Sequence, residues 1–182
     1  MLRVIAGEAR SIPLLTLDGL DTRPTTDRVK ETLFNLLQND IYGCDFLDLF
    51  AGSGQIGIEA LSRGANSACF VEKNKKAMEI IEKNLTKTRF LNKSNLVKKD
   101  VLSALSVMSE SYDIVFMDPP YALGIEGDVL NKIRENRILK EDGFVIIEAD
   151  IDRDFSFVSD LGFEITRIKQ YKNNQHIFLR EL

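Results

Sequence analysis

The feature that most constrains this chain is a compact apolar run, residues 46–50, that passes through Ala51-Gly52-Ser53-Gly54 into a helical pattern at residues 56–62. A run of that kind is a strand buried on both faces, and the glycines let the backbone turn where a Cβ would obstruct it. The alternation then continues. Residues 68–71 read as a strand, and Asn74 caps a helix carrying Ala77, Met78, Ile81 and Leu85 on one side. Residues 96–98 form a weaker strand before a helix near 102–108, and residues 113–117 a strongly apolar strand before a helix near 129–137. Residues 144–147 are a further near-continuous apolar strand. Such runs belong to a mostly parallel α/β sheet covered by helices on both faces. The ending departs from this pattern: residues 164–171 and 175–180 are strands on either side of Lys172-Asn173-Asn174. Because Asn tolerates positive φ, that spacing predicts an antiparallel hairpin with a tight turn.

Ahead of this unit, residues 2–17 look like short strands or a hairpin, broken near Gly7 and by Pro13. A loop follows, and then a helix over about residues 26–38, with Val29, Leu33, Phe34, Leu36 and Leu37 at helical spacing and Thr25 or Thr26 as N-cap. The expected division is an extension over residues 1–40 and an α/β domain over residues 41–182. No apolar run is long enough to cross a bilayer, and the start has no signal-peptide apolar stretch, so a cytoplasmic protein without membrane contact is expected. Cys44 and Cys69, with His176 as the single histidine, cannot assemble a structural zinc site and read as buried reduced thiols.

The net charge of −4 hides a segregation: residues 72–100 carry nine Lys/Arg against four Asp/Glu, and residues 101–164 carry five against fourteen. The basic stretch is either a face that steers a polyanion or the solvated side of two helices, and charge does not separate the two.

The first motif with chemical content is Asp48-Leu49-Phe50-Ala51-Gly52-Ser53-Gly54-Gln55-Ile56-Gly57. The helix behind it offers free N–H groups and the positive end of its dipole to a ligand. Gly52, Gly54 and Gly57 spell GxGxxG and Glu72 follows about 20 residues on, as in a dinucleotide fingerprint, so an NAD-dependent oxidoreductase is one reading. Asp48 opposes it. A buried carboxylate is costly without compensation, and beside a pyrophosphate it would repel. The ammonium and sulfonium of S-adenosylmethionine are cations that suit it, although Asp48 could instead cap its own loop. Asp100, ending the third predicted strand, can accept from an adenine amino group or cap the helix that starts at Val101.

The second motif is Asp118-Pro119-Pro120-Tyr121, directly after the fourth strand. At residue frequencies of about 5% each, this tetrapeptide arises by chance in roughly one chain of this length per thousand, so coincidence accounts for it poorly. Two prolines fix the backbone beyond the strand's carboxyl end, where open α/β sheets bind ligands, and they remove two N–H donors. What remains is a set of acceptors beside an aromatic plate. An exocyclic base amine whose hydrogens are both accepted has its lone pair turned out of conjugation and aimed at a methyl group. The alternative is a rigid strand exit.

This pair of motifs resembles the class I amino-methyltransferases, whose site tetrapeptide is Asn/Asp-Pro-Pro-aromatic. Arg3-Val4-Ile5-Ala6-Gly7 and Thr22-Arg23-Pro24-Thr25-Thr26-Asp27-Arg28-Val29-Lys30-Glu31 narrow the likeness to the bacterial 16S ribosomal RNA guanine-N2 methyltransferase family, over essentially the whole chain. The resemblance implies a Rossmann-like class I fold with a seven-stranded, mostly parallel sheet, a terminal antiparallel hairpin and a small N-terminal hairpin-helix extension. It also implies S-adenosyl-L-methionine as cofactor and S-adenosyl-L-homocysteine as product. No metal is implied and no obligate protein partner, and the substrate is a guanine of 16S RNA in the small subunit or its precursor.

Residue by residue, the resemblance assigns Gly52, Ser53 and Gly54 to the methionine end of the cofactor, Glu72 to the ribose, and Asp100 with Val101 to the adenine, with Asp48 and Phe50 also in the cofactor site. Asp118 and the Pro119 carbonyl would orient the amine, Pro120 would fix the turn, and Tyr121 would stack on the base. Arg23, Thr25 and Arg28 would close over cofactor or RNA, although Arg28 could pair with Glu31 or Glu8, and Arg10 is a further candidate for the RNA or the lid. One departure concerns the first hairpin, which tends to be basic in that family; here Arg3 and Arg10 are its only cations. Methylation of adenine N6, methylation of a protein glutamine, and a catalytically silent RNA-binding factor remain as alternatives.

Overall fold

The computed structural model describes residues 2–17 and 26–182. Side chains that accept the first free N–H groups set where several helices begin. Thr26 caps α1 (Asp27–Leu36) by accepting from Val29 N, Asn74 caps α3 (Lys75–Thr88) at Lys76 and Ala77, and Asp100 caps α4 (Val101–Val107) at Ser103. Between them lie α2 (Gln55–Ser62) and, later, α5 (Glu126–Glu135). The strands are β1 (Asp45–Leu49), β2 (Ser67–Val71), β3 (Ser94–Val97), β4 (Tyr112–Met117), β5 (Leu139–Asp150), β6 (Phe163–Gln170) and β7 (Asn174–Glu181). They form one seven-stranded sheet in the order β3-β2-β1-β4-β5-β7-β6. Pairing is parallel through β5, and β7 inserts antiparallel between β5 and β6. The order reverses between β1 and β4, which makes the crevice beyond their carboxyl ends the topological switch point.

Register fixes which side chains share a face. Asp48 pairs with Phe116 and Phe70, Phe116 with Ile146, and Ile146 with Phe178. This face packs against α1, α2, α3 and the N-terminal segment, through Leu33, Phe34, Ile58, Ile81 and Leu85. The opposite face, with Leu47, Val115, Met117 and Ile147, packs against α4 and α5.

Residues 2–17 contain no extended strand; a single antiparallel bridge joins Arg3 and Pro13, supported by Val4 N–H to Ile12 O at 3.0 Å and Leu14 N–H to Leu2 O at 2.9 Å. The segment spends its other backbone groups on α2 and α3. Ile5 N and Ala6 N donate to the Glu59 carboxylate at 2.9 and 3.0 Å, and Ala9 N donates to Ser62 Oγ at 2.9 Å. Glu59 also accepts from Arg63 Nε at 2.9 Å and lies 3.8 Å from Lys30 Nζ, which donates to Arg3 O at 2.7 Å. Lys30 is fully buried, and that burial lowers its pKa against the opposing pull of Glu59.

Two sequence expectations need correction. The fifth strand begins at Leu139, well before residue 144, because Asp142 takes a φ of 63° and the pairing with β4 shifts register there. The β6–β7 turn does not rest on an asparagine at positive φ: none of residues 172–174 adopts one. Tyr171 N–H donates to Asn174 O at 2.8 Å, and Ile151 N–H to Asn173 O at 3.2 Å, which ties the turn to the end of β5. Cys44 and Cys69 are free and buried, as expected; burial pushes their thiols up to about 12 and about 11.

Candidate active site

At the carboxyl end of β1 the chain turns through three positive φ values: Phe50 at 62°, Gly52 at 58° and Gly54 at 78°. Phe50 there is a non-glycine residue in a sparsely populated region, a backbone cost of the kind held at ligand sites. A Cβ on Gly52 would meet nothing closer than Phe50 O at 4.0 Å, so this backbone is open to close approach. A Cβ on Gly57 would fall 2.4 Å from the Phe70 ring, so the third glycine serves the contact of α2 with β2. Asn84, buried on α3, donates to Ser53 O at 2.9 Å and so ties the loop down.

Asp48 is 2% exposed, and its Oδ2 accepts from Gly57 N at 2.9 Å. Burial pushes its carboxyl up to about 7; the Gly57 N–H pulls the other way and the charge of Glu72 adds to the rise. The loop-capping alternative is thus real, since Asp48 does satisfy a first-turn amide of α2, but that bond leaves acceptor capacity on the carboxylate. Glu72, half-buried after β2, accepts from Gly52 N at 3.0 Å and from Asn74 N at 2.8 Å. Asp100 is exposed and uses Oδ1 to cap Ser103 N at 3.0 Å; hydrogen bonds from the Ser103 side chain and then its backbone hold the carboxyl below the usual range. Val101, the first residue of α4, is buried beside it.

Asp118 lies one residue past β4, half-buried, on the same face as Asp48. Burial drives its carboxyl well above the carboxylate range, and the charges of Glu148 and Asp48 add to the rise. Pro119 is buried, Pro120 exposed, and Tyr121, 48% exposed, opens a 3₁₀ turn, Tyr121–Leu123. A cavity of about 230 Å³ lies beside Tyr121, lined also by Glu126, Ala149, Asp150 and Arg153. Arg10 and Arg28 are exposed on the N-terminal segment and α1, and among the described residues Arg28 forms no ion pair with Glu8 or Glu31. Arg23 and Thr25 lie outside the described residues.

Glu148, at the end of β5, was not singled out by sequence reasoning. It is 4% exposed, accepts from Asn174 Nδ2 at 2.7 Å, and meets His176 Nε2 at 3.1 Å. His176, fully buried, meets Tyr171 OH through Nδ1 at 2.9 Å. The available signal was an acidic residue directly after the apolar run of residues 144–147, the pattern shared by Asp118. Among the described residues no group of His, Cys, Asp and Glu is arranged to hold a metal ion, and no helix is long and apolar enough to cross a membrane.

A seven-stranded sheet of this order, with an antiparallel β7 and ligand loops at the β1–β4 switch point, is the architecture of the Rossmann-like class I methyltransferases. The solved structure of yhhF from Escherichia coli matches it with a TM-score of 0.88 and 32% identity, over 99% of this chain and 97% of that one. The ribosomal RNA small subunit methyltransferase D of Escherichia coli K12 is 36% identical over 151 residues, which span 83% of this chain and 76% of the relative. Its namesake from Haemophilus influenzae is 36% identical over 156 residues, 83% of this chain and 80% of the relative. The family described as Conserved hypothetical protein 95 matches residues 2–180. The chain belongs to that family, in the company of the small subunit methyltransferase D proteins.

Proposed function

We propose that the protein methylates ribosomal RNA with S-adenosylmethionine, and that the acceptor is the exocyclic N2 of a guanine in 16S RNA, on the small subunit or its precursor. The observation that carries this reading is the juxtaposition of two loops. Asp48 with the open Gly52 backbone, and Asp118 with Pro119 and Tyr121, leave neighbouring parallel strands at the switch point on one face of the sheet. Relatives named for ribosomal RNA methylation support the substrate class, and such a substrate places the work in the cytoplasm.

The residues present fit the cofactor. Gly52, Ser53 and Gly54, with Phe50, would hold its methionine end, and the buried Asp48 faces cationic groups better than it would face a pyrophosphate, which disfavours NAD. Glu72 retains acceptor capacity for ribose hydroxyls, and Asp100 Oδ2 with Val101 would receive the adenine. When bound, S-adenosylmethionine supplies an electrophilic methyl group on a sulfonium. Asp118 and the Pro119 carbonyl accept from the two amine hydrogens, which turns the nitrogen lone pair out of the ring system. Tyr121 stacks on the flipped base, a contact worth about 1–3 kcal/mol. Holding amine and methyl in line supplies about 7–11 kcal/mol of the barrier reduction. Arg10 and Arg28, both exposed, would meet phosphates, and Arg23 and Thr25 would close the site.

Incubation with tritiated cofactor and small subunits lacking the modification, followed by mapping of the label, tests this reading. Label at N2 of one guanine is expected. Label on adenine N6 or on a protein glutamine would transfer the same machinery to another acceptor, and no label in any fraction would overturn it.

A further inference from the structure

The sequence motifs leave unexplained a buried polar row behind Asp118. Period-two alternation puts Asp118 on the Phe116 face of β4, and register puts Glu148 on that same face of β5 and His176 opposite it on β7. The His176 ring also meets the edge of Phe116, with centroids 6.1 Å apart, so its plane is fixed by packing as well as by hydrogen bonds. A neutral imidazole satisfies both of its contacts when Nε2–H donates to Glu148 and the Tyr171 hydroxyl donates to Nδ1. Asn174 donates to the other Glu148 oxygen. The fold therefore holds a second carboxylate, in a set orientation and out of water, next to the one proposed to hold the amine.

Methyl transfer leaves a proton to be placed. The amine nitrogen forms the new C–N bond with its lone pair while the C–S bond breaks with its electrons on sulfur, and the nitrogen, now cationic, must shed one hydrogen. We propose that Glu148, oriented by His176 and Asn174, is a positioning residue that keeps Asp118 competent to take this proton and shares it once it is taken. This rests on the reading of Asp118 given above. The charged groups that act on Asp118 are Glu148 from β5 and Asp48 from β1; His176 from β7 lies behind Glu148 with Tyr171 beyond it, and Glu72 lies behind Asp48. Two like charges near Asp118 make it a stronger base than an isolated carboxylate.

Glu148→Gln tests the proposal, since it keeps shape and Asn174 contact while removing charge. If Asp118 must be ionised to act, the acid limb of kcat/KM follows its titration, and removal of a like charge lowers that titration. The limb is expected to move to lower pH by about one unit or more, with kcat reduced by at least about tenfold and cofactor affinity unchanged. NMR titration of isotope-labelled aspartate carboxyls in the protein without RNA should show the same shift at Asp118. Coincident limbs and titrations in wild type and variant would overturn the proposal. Glu148→Asp keeps the charge at shorter reach, so a lower kcat with the wild-type limb is expected. An unchanged kcat in that variant overturns the proposal even where Glu148→Gln does not fold. Failure of the wild-type protein to methylate RNA would sink the functional reading instead, and leaves the titration result standing on its own.

Discussion

Asp48 and Asp118 sit on the same face of the sheet, and each has a pH signature with a definite sign. The Asp48 carboxyl is pushed up to about 7 by burial and by the charge of Glu72, against about 3.9 in an unfolded chain. The folded protein thus retains a proton that the unfolded chain has released, so this stability is complete below the unfolded value and is lost as pH rises through about 7. Denaturant midpoints of the wild type should fall across that window, and those of Asp48→Asn should fall less. A cofactor bringing positive charge to Asp48 must also expel its proton. Calorimetry near pH 6 in buffers of different ionisation enthalpy should register proton release that Asp48→Asn abolishes, and equal heats in both buffers would contradict the assignment. At Asp118, the change to Asn keeps shape but substitutes a neutral, half-donating amide, so kcat should drop while cofactor affinity holds. Asp118→Ala is stricter: a folded, cofactor-binding variant that methylates at the normal rate removes Asp118 from the chemistry. Tyr121→Ala should cost about 1–3 kcal/mol in substrate engagement, read from KM. Asp48 and Asp118 were legible because each stands in one continuous motif. Glu148 and His176 were not, since their contact exists only through the antiparallel register of β5 and β7.

The helix α2 links the glycine loop to the N-terminal segment. On one side Gly57 admits the Phe70 ring against the helix backbone, and on another Glu59 and Ser62 take the amides of residues 5, 6 and 9. Gly57→Ala forces a methyl to within 2.4 Å of that ring, and overpacking of this kind costs about 1–3 kcal/mol. Chemical denaturation should show that loss, with weaker cofactor binding as the α2 amino terminus moves from β1; an unchanged midpoint would mean that β2 yields freely. The parallel strands and their helices were legible because each buries an apolar run of the expected period. The N-terminal segment was less so. Its amides go to Glu59, Ser62 and Asn84, more than fifty residues away in sequence, and no local alternation records such partners. The early start of β5 was hidden for a related reason: Lys140-Glu141-Asp142-Gly143 is polar, and a bulge there breaks the two-residue period.

At the scale of the whole molecule, charge and substrate pull in opposite directions. A net charge of −4 gives no general attraction for a polyanion. The basic residues are nevertheless gathered: all nine Lys and Arg between residues 72 and 100 are exposed, on α3 and on the segments that flank α3 and β3, the side of the molecule that carries the β3 edge strand. That side can contribute a salt-dependent share of affinity through phosphate contacts, while the acidic remainder of the surface opposes nonspecific binding. Correct engagement then has to draw on shape, that is, on a surface that RNA presents only when it is folded within a particle. Methyl incorporation should therefore be faster into small subunits lacking the modification than into the same RNA stripped of protein, at equal RNA concentration and moderate salt. Raising the salt should slow both reactions, since both use the basic side. Equal rates on particle and stripped RNA would show that recognition lies in local sequence and the flipped base alone. Rates that do not respond to salt would remove the basic side from the interface.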